Sequence, residues 1–142
     1  MKLLVINGPN LNMLGIREKH IYGERDYDAL CRYIRDEAAK LGAEVELFQS
    51  NHEGAIVDRI QAAWSDGTEG IVINPAAYTH TSVAILDALK AVQLPAAEVH
   101  ISDVNQRESF RRVSYAGMAC QAHYIGLGFE GYAKAMEYLC GK

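Results

Sequence analysis

The chain has 142 residues, 49% of them hydrophobic, and its 14 basic against 18 acidic side chains leave a formal charge of −4. That length suits one domain able to bury about two-thirds of its unfolded surface without metal or disulfide staples, so a single domain spanning residues 1–142 is expected. A net negative chain with a pI near 5.7 lacks the basic footprint that nucleic-acid backbones require. Apolar runs such as Leu3-Leu4-Val5-Ile6 fall far short of the ~20 residues that cross a bilayer, and the start lacks a signal peptide's layout. These features predict a cytoplasmic protein with neither nucleic acid nor membrane as partner. Cys31, Cys120 and Cys140 are scattered and show no C-x-x-C spacing, so they read as reduced packing thiols.

Short β-branched runs alternate with amphipathic stretches of helical length. Strands are predicted at Lys2 to Ile6, Glu44 to Phe48, Gly70 to Asn74, Ala97 to Ile101 and Ala122 to Ile125, several apolar on both faces as a helix-covered parallel sheet requires. Between them Asp28 to Leu41 places Leu30, Tyr33, Ile34, Ala38 and Leu41 on one helical face and stops at Gly42, a residue suited to a left-handed cap. Helices are also predicted at Glu53 to Trp64, which carries Ile56, Val57, Ile60 and Trp64 on its apolar face with Asn51 as N-cap, at Ser82 to Val92 and at Tyr132 to Leu139. Five alternating strands predict an α/β, flavodoxin-like, doubly wound parallel sheet of order 2-1-3-4-5 with helices on both faces.

In such sheets ligands bind beyond the C-terminal ends of the strands. There stand Asn7-Gly8-Pro9-Asn10 after the first strand, Asn74-Pro75 after the third and His100-Ile101-Ser102 after the fourth. The connection from Asn7 to Tyr27 is about twenty residues, well beyond the two to six usual for a βα loop. Its glycines and its titratable Arg17, Lys19, His20, Tyr22 and Arg25 predict an active-site lid at about residues 15–26.

Several motifs fail on inspection. Gly126-Leu-Gly128-Phe-Glu-Gly131 matches G-x-G-x-x-G, but no returning strand or ribose-binding acid follows it, so it reads as a tight βα turn. Gly8-Pro9-Asn10-Leu11 is no flavin phosphate nest, since proline removes a donor. No His pair has H-x-x-x-H spacing, and no metal or other cofactor is expected. His123, inside a predicted strand, reads as a satisfied core or interface histidine, and His52 as a capping residue.

Two constellations remain. Glu98 and His100 are i and i+2 on a strand and share a face, so the carboxylate can take a proton from one imidazole nitrogen and orient the other. Arg107 and Arg111 share one face if their segment is helical, and two guanidiniums there suit a carboxylate or hydroxyls. On these residues alone, an enzyme and a non-catalytic anion-binding module both remain open.

The set Gly8-Pro9-Asn10-Leu11, Gly15-Ile-Arg17-Glu18, Ile21-Tyr22-Gly23, Asn51-His52-Glu53-Gly54, Asn74-Pro75-Ala-Ala-Tyr78-Thr79-His80-Thr81-Ser82 and Glu98-Val-His100-Ile-Ser102 closely resembles the type II 3-dehydroquinate dehydratases. The resemblance runs almost end to end. It implies reversible dehydration of 3-dehydroquinate to 3-dehydroshikimate through an enolate, without metal or Schiff base, in aromatic amino acid biosynthesis or quinate catabolism. It implies Tyr22 as general base, Arg17 as its activating neighbour, Asn10 as a support of the enolate through a water, His100 as general acid and Glu98 as the orienter of His100. Asn74, His80 and Arg111 match positions that bind ring hydroxyls, Ile101 and Ser102 the carboxylate site, Arg107 a closing residue and Asp87 a subunit contact beside substrate. A homododecamer built as a tetramer of trimers is implied with them.

The implied chemistry has a physical demand. An unperturbed tyrosine has a pKa near 10 and is under about 1% ionised at pH 7, so Tyr22 needs a cation nearby, and Arg17 lies five residues away. A Schiff base would need a buried lysine, whereas Lys2, Lys19, Lys40, Lys90, Lys134 and Lys142 fall at strand starts, helix ends, the terminus or the long connection. The chain departs from the family pattern at Asp103, where asparagine is common; an extra carboxylate opposes anion binding unless it turns away or pairs with Arg107 or Arg111.

Overall fold

A computed structural model describes residues 1–16 and 25–142. Strands β1 (Lys2–Asn7), β2 (Glu44–Gln49), β3 (Gly70–Asn74), β4 (Ala96–His100) and β5 (Ala122–Ile125) form one parallel sheet of order β2-β1-β3-β4-β5. Helices α1 (Tyr27–Lys40), α2 (Glu53–Ala62), α3 (Val83–Val92) and α4 (Glu130–Leu139) join them. This is the expected flavodoxin-like winding, with helices on both faces.

Strand alternation builds two cores from one sequence. Leu4 and Ile6 of β1, with Ile71 and Ile73 of β3, meet Ile56 and Ile60 of α2 and Ile85 and Leu89 of α3. The intervening Leu3, Val5, Val72 and Val99 meet Leu30 and Ile34 of α1 and Tyr132 and Met136 of α4 on the opposite face. All these side chains are buried, which is why the strands are apolar on both sides. Among the described residues no helix is long and apolar enough to cross a membrane.

The element ends carry the differences from expectation. β4 runs Ala96–His100, one residue earlier than predicted, because Ala96 already pairs with Ile71 and His100 with Ile125 is the last rung. Ile101 and Ser102 therefore lie beyond the strand. α2 ends at Ala62, and Trp64, predicted on its buried face, is 73% exposed because Ala63, Trp64 and Ser65 close in tight turns that leave the helical track. His52 holds the N-cap position of α2 without a side-chain cap, while the carboxamide of Asn51, predicted to cap it, accepts from the Asn10 N–H at 2.9 Å. α1 begins at Tyr27, where Asp26 Oδ1 accepts from the Ala29 N–H at 2.9 Å. Gly126 and Gly128 have φ of +80 and +62, the tight βα turn expected of that motif.

The ends of β1 and β3 meet more closely than any side chain permits. Gly8 donates its N–H to Asn74 O at 2.8 Å, and a Cβ placed on it would lie 2.4 Å from Pro75 O. Backbone cannot rotate away as a side chain can. Gly8→Ala is therefore expected to destabilise the fold by about 2–3 kcal/mol, read as a lowered urea midpoint at unchanged slope. Of the expected lid, the two ends are described: Gly15, at φ +76, abuts the Arg25 backbone, and Asp26 caps α1. The rest of that segment, residues 17–24, lies outside the described residues.

Candidate active site

Alternation along β4 sends Ala97 and Val99 toward α4 and leaves Glu98 and His100 on the face of α3. Glu98 is 1% exposed and His100 4%. His100 Nε2 donates to Glu98 Oε2 at 2.8 Å, so the carboxylate fixes the ring and leaves Nδ1 for chemistry, with no hydrogen bond to Nδ1 among the described residues. This is the pairing the strand spacing predicts.

The carboxylate has more partners than the sequence disclosed. Thr79 Oγ1 donates to Oε2 at 3.2 Å, Ser114 Oγ donates to the same oxygen, and His123 Nδ1 donates to Oε1 at 2.8 Å. Burial by itself pushes the Glu98 carboxyl up, but the hydrogen bonds from His100, Ser114 and His123 outweigh it and hold the group at about 2. Glu98 is thus a fixed negative charge at any pH near neutrality. Its space is tight as well, since a Cβ on Gly117 would lie 2.6 Å from Oε1.

The turn Ala76–His80 after β3 is clamped beside this pair. Tyr115 N donates to Thr79 O at 2.7 Å, and His80 Nδ1 donates to Val113 O at 2.7 Å. A carbonyl can only accept, so the neutral His80 tautomer carries its proton on Nδ1 and presents Nε2 as an acceptor.

Asn74 approaches the same end of the sheet from the other face. Its Oδ1 accepts from the Ala76 N–H at 3.1 Å and its Nδ2 donates to Tyr132 Oη at 2.9 Å, which leaves one N–H for a ligand. Tyr132 Oη donates in turn to Asn7 Oδ1 at 2.6 Å. Full burial raises the Tyr132 pKa, so the phenol stays neutral and keeps its proton to give. Tyr132→Phe strands Asn7 and Asn74 and is expected to cost about 1–3 kcal/mol of stability while raising KM more than it lowers kcat; urea unfolding and steady-state kinetics check both.

Asn10 adopts a left-handed conformation, φ 70, at the start of the turn Leu11–Met13. Ile101 is partly buried and Ser102 exposed, just past β4, and Ile101 O accepts from the Gly128 N–H. Asp87 lies on the exposed side of α3. Arg107 and Arg111 do not share one helical face: the 3-10 turns Val104–Gln106 and Ser109–Arg112 are separated by Arg107 itself, which is extended at φ −102 and ψ −164. Arg111 Nε donates to Glu108 Oε2 at 2.6 Å, leaving both Nη groups for a ligand. Asp103 pairs with neither arginine; its Oδ1 accepts from the Asn105 N–H at 3.0 Å and caps its own turn. Arg17 and Tyr22 lie outside the described residues, so the structure brings together Glu98, His100, His80 and Asn74 but places neither the expected base nor its activator. The sequence does not disclose Thr79, Ser114 and Tyr132 as supports, and His123, expected to be a core or interface histidine, is a half-exposed partner of Glu98 that only the β4–β5 register brings to it.

These features have close counterparts. The family description "Dehydroquinase class II" matches residues 1–140. The 3-dehydroquinate dehydratase of Lachnospira eligens is 56% identical over 138 residues, which cover 96% of this chain and 94% of that protein. Among solved structures, the type II dehydroquinase of Butyrivibrio crossotus aligns with a TM-score of 0.93 at 54% identity over 98% of this chain and 97% of that one. That of Propionibacterium acnes aligns with a TM-score of 0.89 at 37% identity over 99% and 98%. With the sheet order, the end-to-end match and this level of identity together, the chain belongs to the class II dehydroquinase family.

Proposed function

We propose that this chain dehydrates 3-dehydroquinate to 3-dehydroshikimate, with His100 as the acid that protonates the departing C1 hydroxyl. The observation that carries the reading is the buried Glu98–His100 pair at the end of β4, beside His80 and Asn74, in a chain of this family. A carboxylate that stays ionised keeps a proton on Nε2 and so aims Nδ1 at the leaving group.

Tyr22 removes the C2 proton, Arg17 stabilises its phenolate, and Asn10 supports the enolate oxygen through a water. Asn74 and His80 meet ring hydroxyls with their remaining N–H and Nε2, as does Arg111 with its Nη groups. The backbone beyond β4 at Ile101 and Ser102, with the Ser102 hydroxyl, binds the substrate carboxylate, and Arg107 closes over it. Asp103, committed to its own turn, opposes that carboxylate less than an unpaired neighbour would. Asp87 reaches substrate in an adjoining subunit of a trimer, four of which form a dodecamer, and the enzyme works in the cytoplasm.

Purified protein given 3-dehydroquinate should generate the ultraviolet absorbance of the conjugated product within minutes. Borohydride added during turnover should trap no adduct. Absence of product with demonstrable ligand binding would favour a binding module, and a trapped lysine adduct would replace the enolate route with an imine one.

A further inference from the structure

Glu98 serves two imidazoles, and the proposed reaction uses only one of them. His100 Nε2 reaches Oε2 and His123 Nδ1 reaches Oε1, each at 2.8 Å, because the β4–β5 register sets Glu98 opposite His123. The His123 side chain is 45% exposed, against 5% for His100 and 2% for Glu98, so it is the member of the trio that meets bulk pH.

A carboxylate carries one unit of charge. An imidazolium on one oxygen withdraws charge that would otherwise hold a proton on the imidazole at the other. The groups facing Glu98 make this a contest of two: His100 from its own strand, His123 from β5, the hydroxyls of Thr79 and Ser114, and the Cys120 thiol. Burial first and the Glu98 charge second push that thiol up to about 12, so it is uncharged near neutrality. Among the described residues only the two histidines lie within ion-pair distance of Glu98.

We propose that His123 is a positioning residue for the dehydration, whose charge, relayed by Glu98, sets how readily His100 releases its proton. With His123 protonated, Glu98 stabilises the His100 imidazolium less, so His100 gives up its Nδ1 proton more readily and is the stronger acid. With His123 neutral, the full carboxylate charge falls to His100 and the acid weakens. This rests on the reading of His100 as the proton donor.

Two substitutions separate charge from packing. His123→Gln keeps a neutral donor on Oε1, and His123→Lys puts a permanent cation beside it, both at a half-exposed strand position that tolerates polar side chains. The alkaline limb of the kcat profile, where the protonated acid is lost, should lie about one pH unit lower in the lysine variant than in the glutamine variant, with the wild type between them. Nitrogen NMR of the His100 ring in substrate-free protein should show its titration in the same order. Limbs that coincide in the two variants, an inverted order, or a wild type indistinguishable from the glutamine variant would each overturn the proposal. NMR ordering without any turnover would instead remove the proposed activity and leave the coupling standing.

Discussion

Phenylalanine at position 22 is expected to lower turnover by at least about a thousand-fold while changing ligand affinity by no more than about threefold. The substitution keeps the ring and deletes one oxygen, the atom that in the proposed mechanism takes the C2 proton. That oxygen forms a bond to hydrogen only during the chemical step, so its loss falls on kcat. Product absorbance reads the turnover, calorimetric titration reads the affinity, and exchange of the C2 proton into deuterated water should vanish with it. Exchange retained at the wild-type rate would assign the base elsewhere.

The second large effect is at Glu98. Glu98→Gln keeps shape and volume, but one end of the amide is a donor and would face a ring nitrogen that is itself a donor. One imidazole must change tautomer or turn away. Turnover should fall by about a hundred-fold or more with little change in KM, because His100 loses its orientation rather than the site losing a substrate contact.

The same variant has a signature in acid. The carboxyl titrates near 4.5 when unconstrained and at about 2 in the fold, a depressed value, so its stabilisation is complete above about pH 4.5 and disappears as pH falls toward 2. That interval represents on the order of 3 kcal/mol. The glutamine variant should start less stable at neutral pH and lose less between pH 4.5 and 2, as unfolding midpoints across that range would show.

Strand positions were legible in the sequence wherever both faces are covered, since apolar runs such as Leu3 to Ile6 permit little else. The Glu98–His100 pair was legible for a related reason: two-residue alternation is local, and partners on one strand need no knowledge of the fold. Partners from elsewhere were not legible. His123, Thr79 and Ser114 reach Glu98 through strand register and loop packing, which arise only when distant segments meet. The Arg107 and Arg111 spacing misled because helical period was applied to a segment built of two short 3-10 turns. Trp64 misled similarly, as periodicity continued past the point where the backbone left the helix.

Tyr132 holds Asn7 and Asn74 from α4, the element that follows every loop of the candidate site in chain order. During synthesis on the ribosome, the residues proposed to touch substrate are therefore all polymerised before the phenol that steadies Asn74 exists. A nascent chain halted before α4 would have every proposed substrate contact yet lack the clamp beneath one of them, so the clamp is made only after the contacts it steadies.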